Sequence, residues 1–444
     1  MAYTNYIHRT PSGTGDRQKF TISTWVKRPN PTGQGWIMTV DSYPSGNMFQ
    51  FQLDTGSYLG AQQYHGSSTQ ASVTTNNYLR DPAAWYHLVL RVDTTQSTAA
   101  DRVRIYINGT EASYNVTTYP SQNFNFEVND TKKHSIGSRE DSSSGASLYY
   151  SHYHFCDGYS YGPDSFGSTD STTGQWKINT SPSVSYGTNG FFVFKNGMNL
   201  SGSTVQDQSG QSNNLTLVGS SVETQDTPSD NFCTLNGILY AASQYTLSDG
   251  NNSIVYATDS SRSAFGTIGM TDNLGKFYWE IKIVSDSNNK GAYGICDDLY
   301  TDLNATGAFI DYSGGYGYFA NGQSYNGGTG SSYGNAVTTG DIVGVALDMD
   351  NRKLYFSKNG TWQNSGDPTS GSTGTGAAYT VAASKTYFPA IRVRNGTNGA
   401  FNFGNGYFGT TAISSEGTNA SGIGKFEYDV PSGYTALSTK GLNL

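Results

Sequence analysis

The sequence predicts an all-β protein folded as two antiparallel β-sandwich domains. Composition is the first reason. The 444 residues include 33 Tyr, 21 Phe and 54 Gly, with Ser, Thr and Asn abundant and strong helix formers sparse, a balance that favours strands and turns. The second is period-2 alternation in many short segments, the mark of strands with one buried face. The third is a phrase written twice. "RVRIYINGT" at 102–110 and "RKLYFSKNGT" at 352–361 both run from a strand-like stretch into Asn-Gly-Thr. At about 100–200 residues per domain, the length allows two or three.

In "FTISTWVKR" (20–28), Phe20, Ile22, Thr24 and Val26 share one face, and Ser23, Trp25 and Lys27 the other. "WYHLVLRVD" (85–93) aligns Tyr86, Leu88, Leu90 and Val92, and the next strand aligns Val103, Ile105 and Ile107. Asn108-Gly109 then supplies the two left-handed residues of a type I′ hairpin turn. Residues 179–231 are looser and are expected to form a connector. The second half repeats the grammar. "KFYWEIKIV" (276–284) sets Phe277, Trp279, Ile281 and Ile283 against Tyr278, Glu280 and Lys282. "DIVGVALDMD" and "KLYFSKNG" follow, the latter ending in a second hairpin turn at Asn359-Gly360, and "YFPAIRV" and "FNFGNG" complete the set. No helix longer than two turns and no heptad repeat is expected. The boundaries are thus 1–178 for the first sandwich, 179–231 for the connector, 232–409 for the second sandwich and 410–444 for a C-terminal tail. Of Trp25, Trp85 and Trp279, at least two should be largely buried.

Net charge is −8 and the pI is near 5.2, with only 26 Lys and Arg and no basic cluster. A nucleic-acid partner is therefore not expected, because it would need basic residues to displace phosphate counterions. Cys156, Cys233 and Cys296 are odd in number and far apart, so they form no disulfide framework. The first residues have no apolar core, and no stretch approaches the roughly 18 apolar residues of a membrane helix. No signal peptide and no membrane insertion are expected. The Asn-x-Thr sequons, such as Asn115-Val116-Thr117, reflect composition.

Catalysis is not expected. A retaining glucanase needs two carboxyls about 5–5.5 Å apart, and no Glu-x-Asp-x-x-Glu phrase supplies them. "WEIKI" offers Glu280 alone, among core-like aromatics. There is no Gly-x-Ser-x-Gly elbow, Walker loop or His-Glu-x-x-His. "HYHFC" places His152, His154 and Cys156 on one face of a strand, a zinc-type set weighed against an ordinary polar strand face. At two-residue spacing the three span about 13 Å and converge only through a bend.

Two segments are dense in Tyr, Gly, Ser and Asn. The first, 147–166, carries Tyr159 and Tyr161, and the second, 311–334, carries Tyr312, Tyr316, Tyr318 and Tyr325. Rigid tyrosines give flat apolar area with a hydroxyl, and their small neighbours give adaptable hydrogen bonds. That mix suits sugars and protein partners, and the competing reading places some of these rings in the core. On the binding reading, "YGYF" turns Tyr316 and Tyr318 to solvent and Phe319 inward.

"FTISTWVKRP", "DPAAWYHLVLRVDTTQSTAADRVRIYINGTEA", "KHSIGS" and "HFCDGYSYGPDSFGSTDSTTGQWK" resemble the laminin-G-like, concanavalin A-type sandwich of tailed-phage structural proteins. The resemblance runs on through "YGTNGFFVF", "QDQSGQSNN" and "DTPSDNFCTLN". From "GKFYWEIKI" the chain resembles a SPRY domain, through "YGICDD", "GDIVGVALDMDNRKLYFSKNGTW", "YFPAIRV" and "AFNFG". "VPSGYTALSTKGLN" is similar to the close of the same phage proteins. The resemblance implies two related jelly-roll-type sandwiches. It also implies a virion protein assembled in the host cytoplasm, of the tail-fibre or appendage type, that presents loops to glycans or proteins. Its partners would be other virion proteins and a host-surface glycan, and it would be a homo-oligomer, most commonly a trimer. The alternative is a capsid or tail decoration protein that binds only virion subunits. Cys156 stands where phage relatives place an aliphatic residue. The chain also enters the sandwich almost at once, which favours a globular unit docked on a larger body. No cofactor is expected. Sandwiches of this type can hold calcium at a rim, and Asp297-Asp298 and Asp348-Met349-Asp350 are the oxygen-rich candidates, weighed against ordinary turn acids.

Overall fold

The computed structural model describes residues 5–31, 33–41, 46–139, 148–195, 197–239, 245–286, 288–298, 300 and 307–443. It contains strands, turns and short 3-10 segments, with no α-helix among the described residues. The chain divides into two compact units, 1–223 and 224–444.

In the first unit, two antiparallel sheets enclose one apolar core. A six-stranded sheet runs Phe191–Val193, Tyr149–Asp157, Lys19–Lys27, Trp85–Asp93, Val103–Ile107, Thr110–Glu111. A ten-stranded sheet runs from the edge strand Tyr114–Thr118 through Ser68–Tyr78, Tyr58–His65, Met48–Leu53, Gly35–Asp41, Lys133–Ile136 and Tyr6–Arg9 to Leu215–Val218 and two short strands. Alternation decides the register. Phe20, Ile22, Val26, Leu88, Leu90, Val92, Val103 and Ile105 all enter the core, as their spacing predicted. They meet Phe49 and Phe51 from the other sheet and Phe126 from the segment before Lys133–Ile136, with Phe20 edge-on to Phe49 at 6.1 Å and to Phe126 at 5.7 Å.

The segment expected as a connector is largely part of this unit. Phe191–Val193 extends the small sheet and Leu215–Val218 pairs with Tyr6–Arg9. Val193, Val205 and Leu215 are core residues. The physical reason is burial: "FFVF" and "NLTLV" carry too much apolar surface to lie on solvent, at about 25 cal/mol per Å². Their polar surroundings hid that pattern.

The second unit is again two sheets. Lys276–Ser285 pairs on one side with Ile342–Asp348, which continues to Lys353–Lys358 and Thr361–Trp362, and on the other with Asn398–Asn402. The opposing sheet runs Arg262–Phe265, Tyr387–Val393, Ala292–Asp297, Gly315–Phe319, Gln323–Asn326, Thr329–Ser332. Phe277, Trp279, Ile281 and Ile283 point into the core between them.

The outer face of Lys276–Ser285 is covered too, and the expected tail is what covers it. Tyr278 packs with Ile423, Phe426, Val430, Tyr434 and Ala436. Leu437 reaches the main core. Residues 410–444 are thus an integral layer of the second unit, recruited by the aromatic outer face that alternation leaves on the central strand.

Both Asn-Gly turns form as predicted. Asn108 and Gly109 have φ of 48° and 81°, and Asn359 and Gly360 have 47° and 78°, the left-handed pair of a type I′ hairpin.

Trp279 is fully buried and Trp25 is 5% exposed, whereas Trp85 is half-buried. Trp279→Ala should therefore destabilise the second unit by about 3–5 kcal/mol in urea unfolding. A loss below about 1 kcal/mol would contradict the packing described.

Candidate functional site

Residues 311–334 are not a loop. They form a three-stranded meander, Gly315–Phe319, Gln323–Asn326 and Thr329–Ser332, within the smaller sheet of the second unit. The expected alternation is real but its phase is inverted. Tyr318 is fully buried and Tyr316 is 8% exposed, both in the main core, while Phe319 lies half-buried on the other face beside Tyr325. Glycine is the cause. A Cβ on Gly317 would stand 2.6 Å from Ile310 Cγ2, so the face under the Phe309–Asp311 turn accepts only glycine and the tyrosines take the core. Tyr312 and Tyr325 are half-buried against a separate small cluster with Phe309 and Ile310.

Tyr318 instead supports a surface feature. Its hydroxyl donates to the Asn335 carbonyl, and burial pushes its pKa up to about 12. Above it lies a groove of about 550 Å³ between the segment after Thr329–Ser332 and the segment after Thr361–Trp362. Gln363, 4% exposed, ties the two walls. Its Oε1 accepts from the Asn335 N–H at 2.8 Å, and its Nε2 donates to the Thr361 carbonyl at 2.8 Å. Tyr333 is anchored by its hydroxyl to Gly376 O at 3.2 Å. Trp362 is half-buried and stands edge-on to Tyr278 at 6.3 Å. Asn364 and Ser365 are exposed and both left-handed, at φ 54° and 52°. Asparagine visits that region readily, whereas Ser365 is held there at some cost in backbone energy. Among the described residues, no charged side chain lines the groove. Sequence reasoning missed it, because its walls come from two turns that alternation does not mark.

In the first unit, Tyr159 and Tyr161 do come together. Their rings stack at 5.6 Å and 8°, Tyr161 rests edge-on against Phe166, and Tyr159 is 40% exposed. The Thr21 hydroxyl fixes the pair by donating to Tyr159 O and accepting from Tyr161 N–H, each at 2.8 Å.

His152, His154 and Cys156 do not converge. The strand bulges between Ser151 and His154, with His152 left-handed at φ 47°. His154 is stacked on Phe192 at 3.9 Å and bonded through Nδ1 to the Tyr186 hydroxyl. Cys156 packs against Val89 and Phe166, and burial pushes its thiol pKa up, away from the thiolate a metal needs. Among the described residues no group of three His, Cys, Asp or Glu is placed to hold a metal. Three of the four candidate calcium acids already have partners. Both Asp348 oxygens accept from Asn351 at 2.9 Å with Lys276 at 3.1 Å, Asp350 accepts from Gly275 N–H, and Asp297 lies 3.5 Å from Lys385.

Four histidines of the first unit are buried and neutral. Trp176 Nε1–H donates to His87 Nδ1 at 3.0 Å, so His87 Nε2 carries the proton toward Ser23 Oγ at 2.9 Å. Burial lowers the His87 pKa to about 3 and those of His134 and His152 to about 4, and holds His154 well below the usual range. In the unfolded chain these groups titrate near 6.5. Between about pH 6.5 and 4 the unfolded chain therefore binds protons that the folded unit does not, and stability falls as pH falls. Urea unfolding of the first unit should show uptake of about four protons near pH 5. A flat profile from pH 7 to 5 would contradict this.

Residues 2–149 match the family model described as the concanavalin A-like lectin/glucanases superfamily, and residues 276–406 match the SPRY domain model. Curated relatives match over shorter stretches. The chain is 34% identical over 87 residues to the dual specificity protein kinase splA of Dictyostelium discoideum, covering 19% of this chain and 3% of that protein. It is 27% identical over 161 residues to the ATP-dependent RNA helicase Ddx1 of Drosophila melanogaster, covering 34% and 19%, and 35% identical over 89 residues to Ran-binding protein 9 of Xenopus laevis, covering 19% and 16%. The chain thus spans less than a fifth of each. Among solved structures, the SPRY domain of human HERC1 aligns at 19% identity and a TM-score of 0.28, over 36% of this chain and 96% of that one. Stonustoxin aligns at 18% and 0.29, over 38% and 26%. The chain carries a laminin-G-type, concanavalin A-like domain followed by a SPRY domain.

Proposed function

We propose that this chain is a non-catalytic binding module of a phage virion appendage, and that the groove of its SPRY domain is the recognition surface. The virion reading rests on the ordered series of phrases shared with tailed-phage structural proteins. The binding reading rests on one observation: a walled groove furnished with amides, hydroxyls and two aromatic rings but no charge. Such a lining favours a neutral, hydrogen-bonding ligand, since it offers amides and hydroxyls to pair with and no countercharge to attract a charged one. An extended peptide segment of another protein meets that description. Among the relatives of the matched segment, one is named for binding the protein Ran, which supports a protein partner. A glycan reading is favoured by a separate feature, the exposed and rigidly backed Tyr159 ring.

The test uses the full chain with two probes, a random dodecapeptide library and a glycan array. Selected peptides should lose at least about thirtyfold in affinity with Trp362→Ala, the usual loss for an aromatic anchor of about 2 kcal/mol. Raising NaCl from about 0.05 to 0.5 M should change their affinity less than about twofold, because screening acts on charges the groove lacks. Peptides indifferent to Trp362→Ala would remove the groove from recognition. Glycan hits abolished by Tyr159→Ala would move recognition to the first unit.

A further inference from the structure

The groove is entered by an open strand edge. Thr329–Ser332 closes the smaller sheet of the second unit and, among the described residues, pairs only with Gln323–Asn326. The register is unbroken, from Asn326↔Thr329 to Gln323↔Ser332. The connecting Gly327-Gly328 turn is left-handed at φ 57° and 75°. A two-residue turn of this kind makes Asn326↔Thr329 a hydrogen-bonded pair, and alternate pairs follow. Ser324↔Ser331 is then bonded, and the backbone N–H and C=O groups of Gly330 and Ser332 face outward. No partner for them appears among the described residues.

Natural edges are usually blunted by lysine, proline, a bulge or very short length. "TGSS" carries none of these side chains and no bulge. Several other edges differ. Tyr114–Thr118 is bulged after Tyr114, Thr110–Glu111 and Thr361–Trp362 are two residues long, and Phe265 of Arg262–Phe265 already has its carbonyl occupied by Asn236 N–H. The open edge also leads somewhere, because Ser332 and Tyr333 are the first residues of the groove wall.

We propose that the partner is an extended peptide that adds as a further antiparallel strand to Thr329–Ser332 and continues into the groove. This deepens the groove reading and rests on it. The side chains on the edge are small, so specificity must come from one face. A Cβ on Gly330 would stand 2.5 Å from Tyr325 Cε2, so the Tyr325 ring covers Gly330, and Tyr325 in turn packs on Phe319 at 5.1 Å. The partner residue opposite Gly330 shares that face and fits a large apolar side chain beside the ring. The positions beyond meet uncharged amides. The occupant is thus a neutral segment with one apolar or aromatic anchor, and main-chain bonds supply the rest.

The probe is a dodecapeptide selected on the full chain, remade as a series with one N-methylated backbone nitrogen each. Strand addition predicts roughly tenfold losses at two positions, two residues apart, with the position between them tolerated within about threefold. Ser332→Pro should weaken the peptide by a similar factor. It removes only an outward N–H, so the hairpin register is kept. The amides of Gly330 and Ser332 should exchange slowly only when peptide is bound. Tolerance of N-methylation at every position overturns the proposal, and if Trp362→Ala still weakens such a peptide, the groove reading survives alone. An alternating pattern insensitive to Trp362→Ala keeps the edge and discards the groove. Failure to protect Gly330 and Ser332 with any selected peptide overturns the strand addition, and failure to select any peptide at all overturns both. Slow exchange of both amides in the free chain, with a dimer in sedimentation, replaces the peptide by a second copy of this chain.

Discussion

An asparagine at a two-residue turn ties a short hairpin of each unit to the strand beside it. The Asn108 N–H donates to the His87 carbonyl at 2.9 Å, and its Oδ1 accepts from the His87 N–H at 2.8 Å. Asn359 repeats the exchange with Ile342 at 2.8 Å in both directions, and its Nδ2 adds a bond to Asp341 at 2.7 Å. Asparagine suits the place twice. It tolerates the left-handed conformation, and its amide satisfies a strand-end N–H that would otherwise be left over. This is why one chain writes the same phrase in two separate domains. In the second unit the consequence reaches the surface, since Thr361, Trp362 and Gln363 follow directly and form one wall of the groove.

The same unit solves a second problem with a buried carboxylate. Glu280 lies on the outer face of the central strand with no exposed surface. Its oxygens accept from the Glu427 and Tyr428 N–H groups at 2.9 Å, from Tyr278 at 3.1 Å and from Asn402 at 3.2 Å. Burial pushes its pKa up to about 7 against the pull of these four donors. The residue thereby stitches the C-terminal layer to the strand it covers. The same layer packs on Tyr278, which Trp362 meets edge-on. Core, cover and groove wall are therefore one connected body of aromatic contacts.

Much of the fold was legible because one rule, alternation, writes both strand position and facing. Phe20 to Val26, Leu88 to Val92 and Phe277 to Ile283 all face as their spacing says. What escaped lies where that rule is silent or ambiguous. "YGYF" fixes a period but not a phase, and the phase was set by Ile310 pressing on Gly317. Residues 410–444 carry isolated apolar residues, Phe426, Val430 and Tyr434, whose target was the outer face of a strand assumed to meet solvent. "KFYWEIKIV" held that information: its outer face offers Tyr278 and a lone carboxylate, a surface that asks to be covered. For the candidate site, composition singled out the segment that holds Tyr159 and Tyr161 but not the stacking of their rings. The groove was not singled out, because left-handed Asn364 and Ser365 have no sequence signature strong enough to mark them.

The Asn359 amide thus holds the groove wall to the sheet, and hydrogen exchange on Asn359→Gly reads that link amide by amide. Glycine keeps the left-handed turn accessible and removes only the side-chain bonds. Exchange should quicken at Ile342, Thr361 and Asn335, with unchanged protection along Lys276–Ser285. Unaltered protection at Ile342 and Asn335, or a loss spread evenly through the central strand, would contradict it.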